Sequence, residues 1–112
     1  MKSIECEKEL IGKAIMRQFL ETFALWLFSQ REMTGYELIK LCRNEHLYVA
    51  TPSRVYPVLK KMERKGFIKV TKEDERGRKF YKITEEGNKE LMLRKGWMKE
   101  GLKGKFWRDM VV

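Results

Sequence analysis

Apolar residues in the first third of the chain surround a helix instead of forming one stripe along it. Between residues 14 and 29 the apolar positions are Ala14, Ile15, Met16, Phe19, Leu20, Phe23, Ala24, Leu25, Trp26, Leu27 and Phe28. A helix that is apolar nearly all round has to be buried on more than one side. One small domain rarely offers two cores, so the pattern predicts a helix over 14–29 that also packs against a second subunit. Residues 1–13 are polar and are expected to fray or to add an amphipathic turn.

The second predicted helix begins with a capping signal. Thr34-Gly35-Tyr36-Glu37 has the Thr-x-x-Glu spacing of a capping box, which satisfies free N–H groups at a helix start. The apolar stripe that follows consists of Leu38, Ile39, Leu41 and Cys42. We therefore expect a short amphipathic helix that ends near Asn44, followed by a connector to Ala50.

A third helix is predicted from Thr51 to the turn at Gly66. Thr51 suits the N-cap, and Pro52 suits the first helical position, where its missing N–H costs nothing. The predicted core stripe is Val55, Val58, Leu59 and Met62, at spacings of i, i+3, i+4 and i+7. Gly66 is expected to end the helix in a left-handed conformation, with Phe67 making the usual hydrophobic contact.

The remainder of the chain predicts a β-hairpin and a last helix. Residues 67–71 and 80–84 alternate as strands do, around a polar turn centred on Gly77. Thr84 is the predicted cap of the last helix, whose stripe is Leu91, Met98, Leu102 and Phe106. Glycines weaken this helix, so it should need a partner to be stable.

This order of elements is typical of a winged helix-turn-helix, in which the helix after the turn enters the major groove of DNA. The predicted class is α+β, mainly α, with an additional N-terminal helix and a C-terminal dimerisation helix. One domain fits a length of 112 residues. We divide it into a polar extension (1–13), a DNA-binding region (14–83) and the dimerisation helix (84–112).

The positive charge of the chain is concentrated in the third helix and the hairpin. Residues 1–50 carry seven basic and seven acidic residues, residues 51–82 carry eleven and four, and residues 83–112 carry seven and five. The middle segment therefore holds +7 of the net charge of +9. A solvated charged face usually mixes both signs, whereas a one-sided excess is typical of a surface that binds a polyanion.

Pro57 lies inside this basic helix, where a proline removes one backbone hydrogen bond and costs about 3 kcal/mol. At about 100° per residue it falls opposite the core stripe, with Ser53, Lys60 and Arg64. A bend there would help the helix follow a DNA groove, and an opened carbonyl would offer a free acceptor. A neutral proline that the fold tolerates is the remaining alternative.

Other features exclude several classes of protein. The longest apolar stretch, Phe23–Ser29, is too short to span a membrane, and no secretion signal is evident, so we expect a cytoplasmic protein. Cys6 and Cys42 have neither metal-type nor redox-type spacing, and we expect a buried thiol at Cys42 and an exposed one at Cys6. His46 is the one histidine and has no second ligand or base nearby in sequence, which argues against an enzyme or a metal site. No cofactor is expected.

Three motifs, in this order and spacing, resemble the PadR family of transcriptional regulators over about residues 20–95. They are GYELIKL from Gly35, TPSRVYPVLKKMERKGFI from Thr51 and RGRKFYKITEEG from Arg76. The family pattern maps onto Gly35-Tyr36-Glu37, Tyr56-Pro57-x-Leu59, Arg76-x-Arg78-Lys79-x-Tyr81 and Ile83-Thr84-x-x-Gly87. The chain differs where the family commonly has Gly and then Ser or Thr before the Tyr, because it carries Ser53-Arg54 instead.

We expect a sequence-specific regulator, acting as a repressor, that binds an inverted repeat in double-stranded DNA. The residues predicted to contact DNA are Ser53, Arg54, Tyr56, Lys60, Lys61, Arg64, Arg76, Arg78 and Lys79. Arg54 and Lys61 are the candidates for base edges, because a basic side chain on guanine is the commonest specific contact. Tyr56 would donate its hydroxyl to a phosphate, and the remaining cations would supply charge.

The resemblance also implies a homodimer built from the first and last helices, in agreement with the surplus apolar surface. The predicted interface residues are Phe19, Phe23, Trp26, Leu91, Trp97, Met98, Leu102 and Phe106. It further implies a small aromatic effector near the dimer axis, where Trp26, Trp97 and Trp107 could line a site. Aromatic residues at helical spacing are more often part of a core.

Two binding functions remain as alternatives to a DNA-binding regulator. A winged helix can serve protein–protein contacts or RNA, in which case duplex DNA would bind weakly and with little dependence on salt. A membrane-surface binder would need a helix with one basic and one apolar face, but the apolar face of the basic helix is committed to the core.

Overall fold

The computed structural model describes the backbone of residues 2–103 and the side chains of residues 13–100. The helices in this part of the chain are α1 (Lys2–Gln30), α2 (Gly35–Asn44), α3 (Pro52–Arg64) and α4 (Glu85–Lys103). The strands are β1 (Met33–Thr34), β2 (Ile68–Glu73) and β3 (Lys79–Ile83), and they form an antiparallel sheet in the order β1-β3-β2. The predicted mainly helical winged helix-turn-helix is therefore confirmed. None of the described helices is both long enough and apolar enough to cross a bilayer.

Two features of the N-terminal half differ from the expectation. α1 is one helix from Lys2 onwards and passes without a break through residue 13, where we expected a polar extension to end. β1 is absent from the prediction because two residues are too few to produce an alternating pattern. It forms through pairing with β3, where Met33 lies opposite Tyr81 and Thr34 opposite Phe80.

The core lies between α1, α2, α3 and the sheet, and the predicted stripe of α3 is confirmed. Val55, Val58, Leu59 and Met62 are all buried. α1 contributes Leu20, Ala24, Leu25, Leu27 and Phe28 to the same cluster. Each fully buried aliphatic side chain of this kind is worth about 1.5–3 kcal/mol relative to an exposed one. This burial fixes which side of α3 points away from the core.

α3 ends in the turn that the sequence predicts. Gly66 has a φ of +79°, and its N–H donates to the carbonyl of Glu63 at 3.0 Å. The N–H of Phe67 donates to the carbonyl of Met62 at 2.9 Å. This pair of bonds is a Schellman motif, which satisfies carbonyls at the helix end. The chain then turns directly into β2.

The beginning of α4 is attached to this same turn. The hydroxyl of Thr84 accepts from the N–H of Gly87 at 3.0 Å and donates to the carbonyl of Gly66. The N–H of Thr84 donates to the carbonyl of Phe67 at 2.9 Å. A Cβ on Gly87 would lie 2.1 Å from the Phe67 oxygen, so only glycine permits this approach. The end of α3 and the start of α4 are therefore held together.

The caps of α2 and α3 are formed only in part. The Thr34 hydroxyl accepts from the N–H of Glu37 at 3.1 Å, as predicted. The Glu37 carboxylate, however, pairs with Arg31 at 3.0 Å instead of returning to the cap, so the reciprocal half of the capping box is not made. Thr51 is at the N-cap of α3 with extended backbone, but its side chain makes no capping bond there.

Cys42 is buried in α2 as a free thiol, as predicted. Burial raises its pKa to about 11, because an ionised sulfur would be poorly solvated there. The thiol is therefore neutral at physiological pH and behaves as a small apolar side chain. The side chain of Cys6 lies outside the described residues.

Substitutions of two glycines of α4 test the close approach at Thr84–Gly87. Gly87→Ala should destabilise the fold by about 1–3 kcal/mol, because the new methyl would collide with a backbone carbonyl. Gly96→Ala is the matched control, since a Cβ there meets no atom within 4 Å. It should stabilise by up to about 1 kcal/mol through helix propensity. Urea unfolding at one fixed protein concentration measures both; equal effects of the two substitutions would contradict the packing described.

Candidate nucleic-acid interface

The outward side of α3 carries basic side chains that have no acidic partner among the side chains described for residues 13–100. Arg54, Lys60 and Arg64 are exposed, and none of them forms an ion pair with any residue whose side chain is described. Ser53 is exposed beside them. Unpaired cations on one face of a helix repel each other and favour an anionic partner.

Pro57 lies among these cations, exposed, as its place opposite the core stripe predicts. α3 nevertheless continues through it from Pro52 to Arg64. A proline has no N–H to donate, so the carbonyl of Ser53 lacks the helical bond that residue 57 would otherwise supply. This acceptor adjoins the basic face of α3.

Tyr56 is held in place by the helix in front of α3. Its ring atom Cε1 lies 2.9 Å from where a Cβ on Gly35 would be, so a side chain at the start of α2 would displace the ring. Tyr56 is still 44% exposed. Gly35 therefore allows α2 to approach α3 closely while the tyrosine keeps access to solvent.

Lys61, predicted as a base contact, is turned toward α1. Its Nζ lies 3.2 Å from Oε1 of Glu21, a glutamate that is only 1% exposed. The contact has the distance of an ion pair, but Oε1 has no aligned hydrogen bond. The charge of Lys61 compensates this oxygen, and any contact of Lys61 with a base would require the pair to open.

The same glutamate reaches α4. Oε2 of Glu21 accepts from Nη2 of Arg94 at 3.1 Å, and Arg94 is itself buried. The guanidinium also donates to Oε1 of Glu90 at 3.0 Å and to the hydroxyl of Thr22 at 3.1 Å. Glu21 therefore links three helices through charge: α1, on which it lies, α3 through Lys61, and α4 through Arg94.

This network is absent from the sequence prediction, although two signals for it are present. Glu21 interrupts the apolar run of α1, directly after Leu20. Arg94 lies three residues after Leu91, on the face of α4 that was expected to be apolar. A carboxylate and a guanidinium on two stripes that both face a core are expected to pair, because neither is buried alone at tolerable cost.

The tip of the β2–β3 hairpin is organised by Asp74. Its carboxylate accepts from the backbone N–H groups of Arg76 and Arg78 at 3.0 and 2.8 Å, and from Nε of Arg78 at 2.7 Å. The bond from the Arg78 backbone N–H is the main reason that the pKa of Asp74 lies below its usual value. Gly77, with a φ of +79°, supplies the left-handed turn. Asp74 was not among the predicted site residues.

These contacts divide the three predicted cations of the tip into two kinds. Arg78 is bound to Asp74, so its charge is compensated within the hairpin. Arg76 and Lys79 are exposed and form no ion pair among the described side chains. Two of the three therefore remain available for an external anion.

Both α1 and α4 carry exposed apolar side chains among the side chains described. On α1, Phe19 is 48% and Trp26 is 42% exposed, and the half-buried Phe23 packs between them with ring centroids at 6.5 and 5.8 Å. On α4, Trp97 and Met98 are 67% and 52% exposed. These five residues, all predicted to lie at a dimer interface, are called the α1–α4 apolar surface below.

Leu91, also predicted at the interface, requires a correction. It is 4% exposed and belongs to the core of its own protomer, because the first turns of α4 pack against α1 and β3. The apolar stripe of α4 is therefore buried in the core at Leu91 and is exposed farther toward the C-terminus, at Met98. The side chains of Leu102, Phe106 and Trp107 lie outside the described residues.

The sequence matches the Transcriptional regulator PadR-like family over residues 24–93, which is more than half of the chain. The chain belongs to this family. It is therefore a DNA-binding transcriptional regulator and not an enzyme. A comparison with curated proteins finds no significant match.

Solved structures agree with the PadR-like assignment. A PadR-like transcription factor from Bacteroides fragilis has a TM-score of 0.75 at 21% identity, covering 83% of this chain and 92% of that one. A transcriptional regulator from Clostridium thermocellum has a TM-score of 0.73 at 28% identity, covering 80% and 89%. A PadR-like regulator from Bacillus cereus has a TM-score of 0.65 at 30% identity, covering 80% and 91%.

The PadR-like match includes α2, α3, the hairpin and the first half of α4. Two glycines of the family motifs have a steric role in this chain, because Gly35 admits Tyr56 and Gly87 admits the Phe67 carbonyl. Glu21 precedes the matched range, although it contacts Lys61 within that range and Arg94 directly after it.

Glu21→Gln should destabilise the PadR-like fold by about 3 kcal/mol, at the lower end of the cost of breaking a buried ion pair. Arg94 would keep Glu90 and Thr22 as partners, which limits the loss. Glu86→Gln is the control, because Glu86 and Lys89 form an exposed pair at 3.6 Å, worth less than about 1 kcal/mol. Chemical unfolding of both variants checks this; equal costs would mean that the buried pair contributes no more than a surface pair.

Proposed function

We propose that this regulator is a homodimeric repressor that binds an inverted-repeat operator in double-stranded DNA. The observation that carries the proposal is the division of α3 into two faces. Its apolar stripe is buried, while Arg54, Lys60 and Arg64 are exposed and lack acidic partners among the described side chains. A helix held by one face, with free cations on the other, has the properties of a recognition helix in the major groove.

Each exposed residue of α3 receives a role from its chemistry. Arg54, near the N-terminal end of α3, reads a base edge, because recognition helices contact bases with their N-terminal residues. Lys60 and Arg64 neutralise phosphates, and Tyr56 donates its hydroxyl to a phosphate oxygen. Ser53 is small enough to let the duplex approach. Lys61 positions α3 through Glu21, so we assign base readout to Arg54 alone.

The hairpin acts as the wing beside this helix. Arg76 and Lys79 contact the sugar–phosphate backbone, and Arg78 shapes the tip through Asp74. β2 begins directly after the turn that ends α3, so the hairpin is rigidly joined to the recognition helix. Both elements then contact one duplex.

Two protomers associate through the α1–α4 apolar surface. Large apolar patches on soluble proteins commonly mark interaction sites, and a two-fold axis makes one patch serve both partners. The two recognition helices would then lie about 34–36 Å apart, which is one turn of DNA. Because a two-fold axis relates them, the operator has to be an inverted repeat.

An aromatic effector bound between protomers would contact Trp26 and Trp97. Occupancy of a promoter by the dimer is sufficient for repression, and we place the protein in the cytoplasm.

Lys60→Ala should weaken binding to all duplexes by a similar factor, because a phosphate contact carries no sequence information. A dimer that neutralises about 8 phosphates should show a log–log salt slope near −7, and the variant should flatten it by about 1–2. Lys95→Ala on the exposed side of α4 is the charge-matched control and should leave the slope unchanged. Fluorescence anisotropy at several salt concentrations measures both.

A loss confined to one cognate sequence would contradict the role of Lys60 as a phosphate contact. Weak binding with no salt dependence, in the unsubstituted protein, would instead favour a winged helix used for protein or RNA contacts.

Trp97→Asp should shift the protein from dimer to monomer, because it would place a charge inside an apolar interface. Tyr48→Asp is the control, since Tyr48 is also an exposed aromatic but lies in the connector between α2 and α3. Sedimentation velocity distinguishes the two states. A dimer that persists in the Trp97 variant would move the interface away from this surface.

A further inference from the structure

The main chain of α3 offers a hydrogen-bond acceptor that the proposed operator contacts do not use. Pro57 lies inside the helix and has no N–H, so the carbonyl of Ser53 lacks the bond that the fourth residue along a helix normally donates. Carbonyls in the interior of a helix are otherwise paired with backbone N–H groups. Arg54 is the one side chain assigned to base readout, so a main-chain acceptor beside it would add sequence information.

This carbonyl belongs to the solvent side of α3. Ser53 and Pro57 are both exposed. A proline ring clashes with the carbonyl four residues before it, and carbonyls on the solvent side of a helix tilt outward. The hydroxyls of Ser53 and Thr51 share a hydrogen bond at 3.2 Å, toward the start of the helix. The small side chain of Ser53 therefore leaves its own main chain open to approach.

Open space borders α3 on both sides of Pro57. Ser53, Arg54 and Pro57 line a hollow of about 610 Å³ between α1 and α3. Pro57 also lines a smaller hollow of about 330 Å³, together with Tyr56 and Lys60. Ser53 and Arg54 therefore face the same space, and a duplex that reaches one of them meets the other.

We propose that the Ser53 carbonyl accepts a hydrogen bond from the amino group of adenine or cytosine in the major groove, beside the base contact of Arg54. The N6 amino group of adenine and the N4 amino group of cytosine are the donors that bases present in this groove. Guanine and thymine present oxygen acceptors there, which would leave the carbonyl without a partner. Pro57 is then a positioning residue that keeps a main-chain acceptor free. The contact rests on the proposed function, since it requires α3 to lie in the major groove.

The contact predicts a particular degeneracy in the operator. One position of each half-site should accept adenine or cytosine on the contacted strand and disfavour guanine and thymine there. A basic side chain selects guanine instead, so the two kinds of readout are distinguishable in one set of selected sequences. The preference should be about two- to tenfold, the range of one neutral hydrogen bond. A half-site without such a position would overturn the proposal.

Pro57→Ala closes the acceptor, because the new N–H bonds to the Ser53 carbonyl. The variant should lose the preference at that one position by about two- to tenfold and keep the salt slope, since no charge changes. Slow hydrogen exchange at the amide of residue 57 in the variant verifies the new bond. A uniform loss at all positions would mean that Pro57 acts by bending the helix, and an unchanged profile would mean that it is neutral. Either result would refute the contact.

Two further substitutions are matched controls. Pro52→Ala removes the other proline of the sequence, which lies at the first helical position, where its missing N–H costs no helical bond. Ser53→Ala removes the hydroxyl and keeps the carbonyl. Both variants should retain the base preference. Its loss in Ser53→Ala would assign the contact to the hydroxyl and overturn the role of the carbonyl.

An ester at position 57 separates the carbonyl from the proline ring. Lactic acid in place of Pro57, introduced by chemical synthesis, has neither a ring nor an N–H, and it differs from the Pro57→Ala variant only in lacking the N–H. The Ser53 carbonyl stays free, so the base preference should be restored. A profile like that of Pro57→Ala would assign the effect to the ring and refute the proposal.

Deletion of the amino group from the DNA tests the contact from the other side. Duplexes with purine in place of adenine, or 2-pyrimidinone in place of cytosine, lack the proposed donor at the selected position. The deletion should weaken the unsubstituted protein about two- to tenfold more than the Pro57→Ala variant. Because both proteins meet the same duplex, its altered base pairing cancels in this double-mutant cycle. Equal losses for the two proteins would overturn the contact.

The same measurements distinguish this contact from the proposed function. A protein that selects no sequence from a pool of duplexes would refute the proposed function and the contact with it. A protein that selects an inverted repeat, with the same profile in the Pro57→Ala variant, would refute the contact alone.

Discussion

Burial of Val55, Leu59 and Met62 in the core determines which side of α3 faces solvent. Since a helix has one angular order of residues, fixing this stripe also fixes the angular position of every residue on α3. Arg54, Lys60 and Arg64 are exposed as a consequence. The hydrophobic effect thus positions these three cations for DNA recognition.

Glu21 adds a directional constraint on the position of α3, beyond the burial of its apolar stripe. Apolar contacts allow a helix to slide or rotate slightly, whereas an ion pair holds particular atoms at a particular distance. Glu21 binds Lys61 on α3 and Arg94 on α4, so a displacement of either helix disturbs the same carboxylate. The Thr84–Gly87 contact joins the end of α3 to the start of α4 at another point. The recognition helix is therefore fixed at two places to the helix that we propose carries the dimer interface.

The sequence was sufficient to predict features that depend on local periodicity or on one residue's backbone preference. The apolar stripe of α3 and the turn at Gly66 are of this kind, because each depends only on residues that are close together in the sequence. Contacts between distant positions could not be predicted in the same way. The Glu21–Arg94 pair, the two-residue β1 and the burial of Leu91 all depend on which elements meet in the fold. Lys61 shows this difference most clearly. Its position on the helix wheel predicted a contact with DNA, whereas in the fold its side chain pairs with Glu21 of α1.

The central claim is that the exposed cations of α3 and the hairpin form one surface that fits a double helix. In a dimer, two copies of this surface contact the same duplex. Selection of bound fragments from a random pool of duplexes tests this most directly. The account predicts enrichment of an inverted repeat whose half-sites are centred about one helical turn, 10–10.5 base pairs, apart. A pool that shows no enrichment after repeated selection, or a single half-site without symmetry, would contradict it.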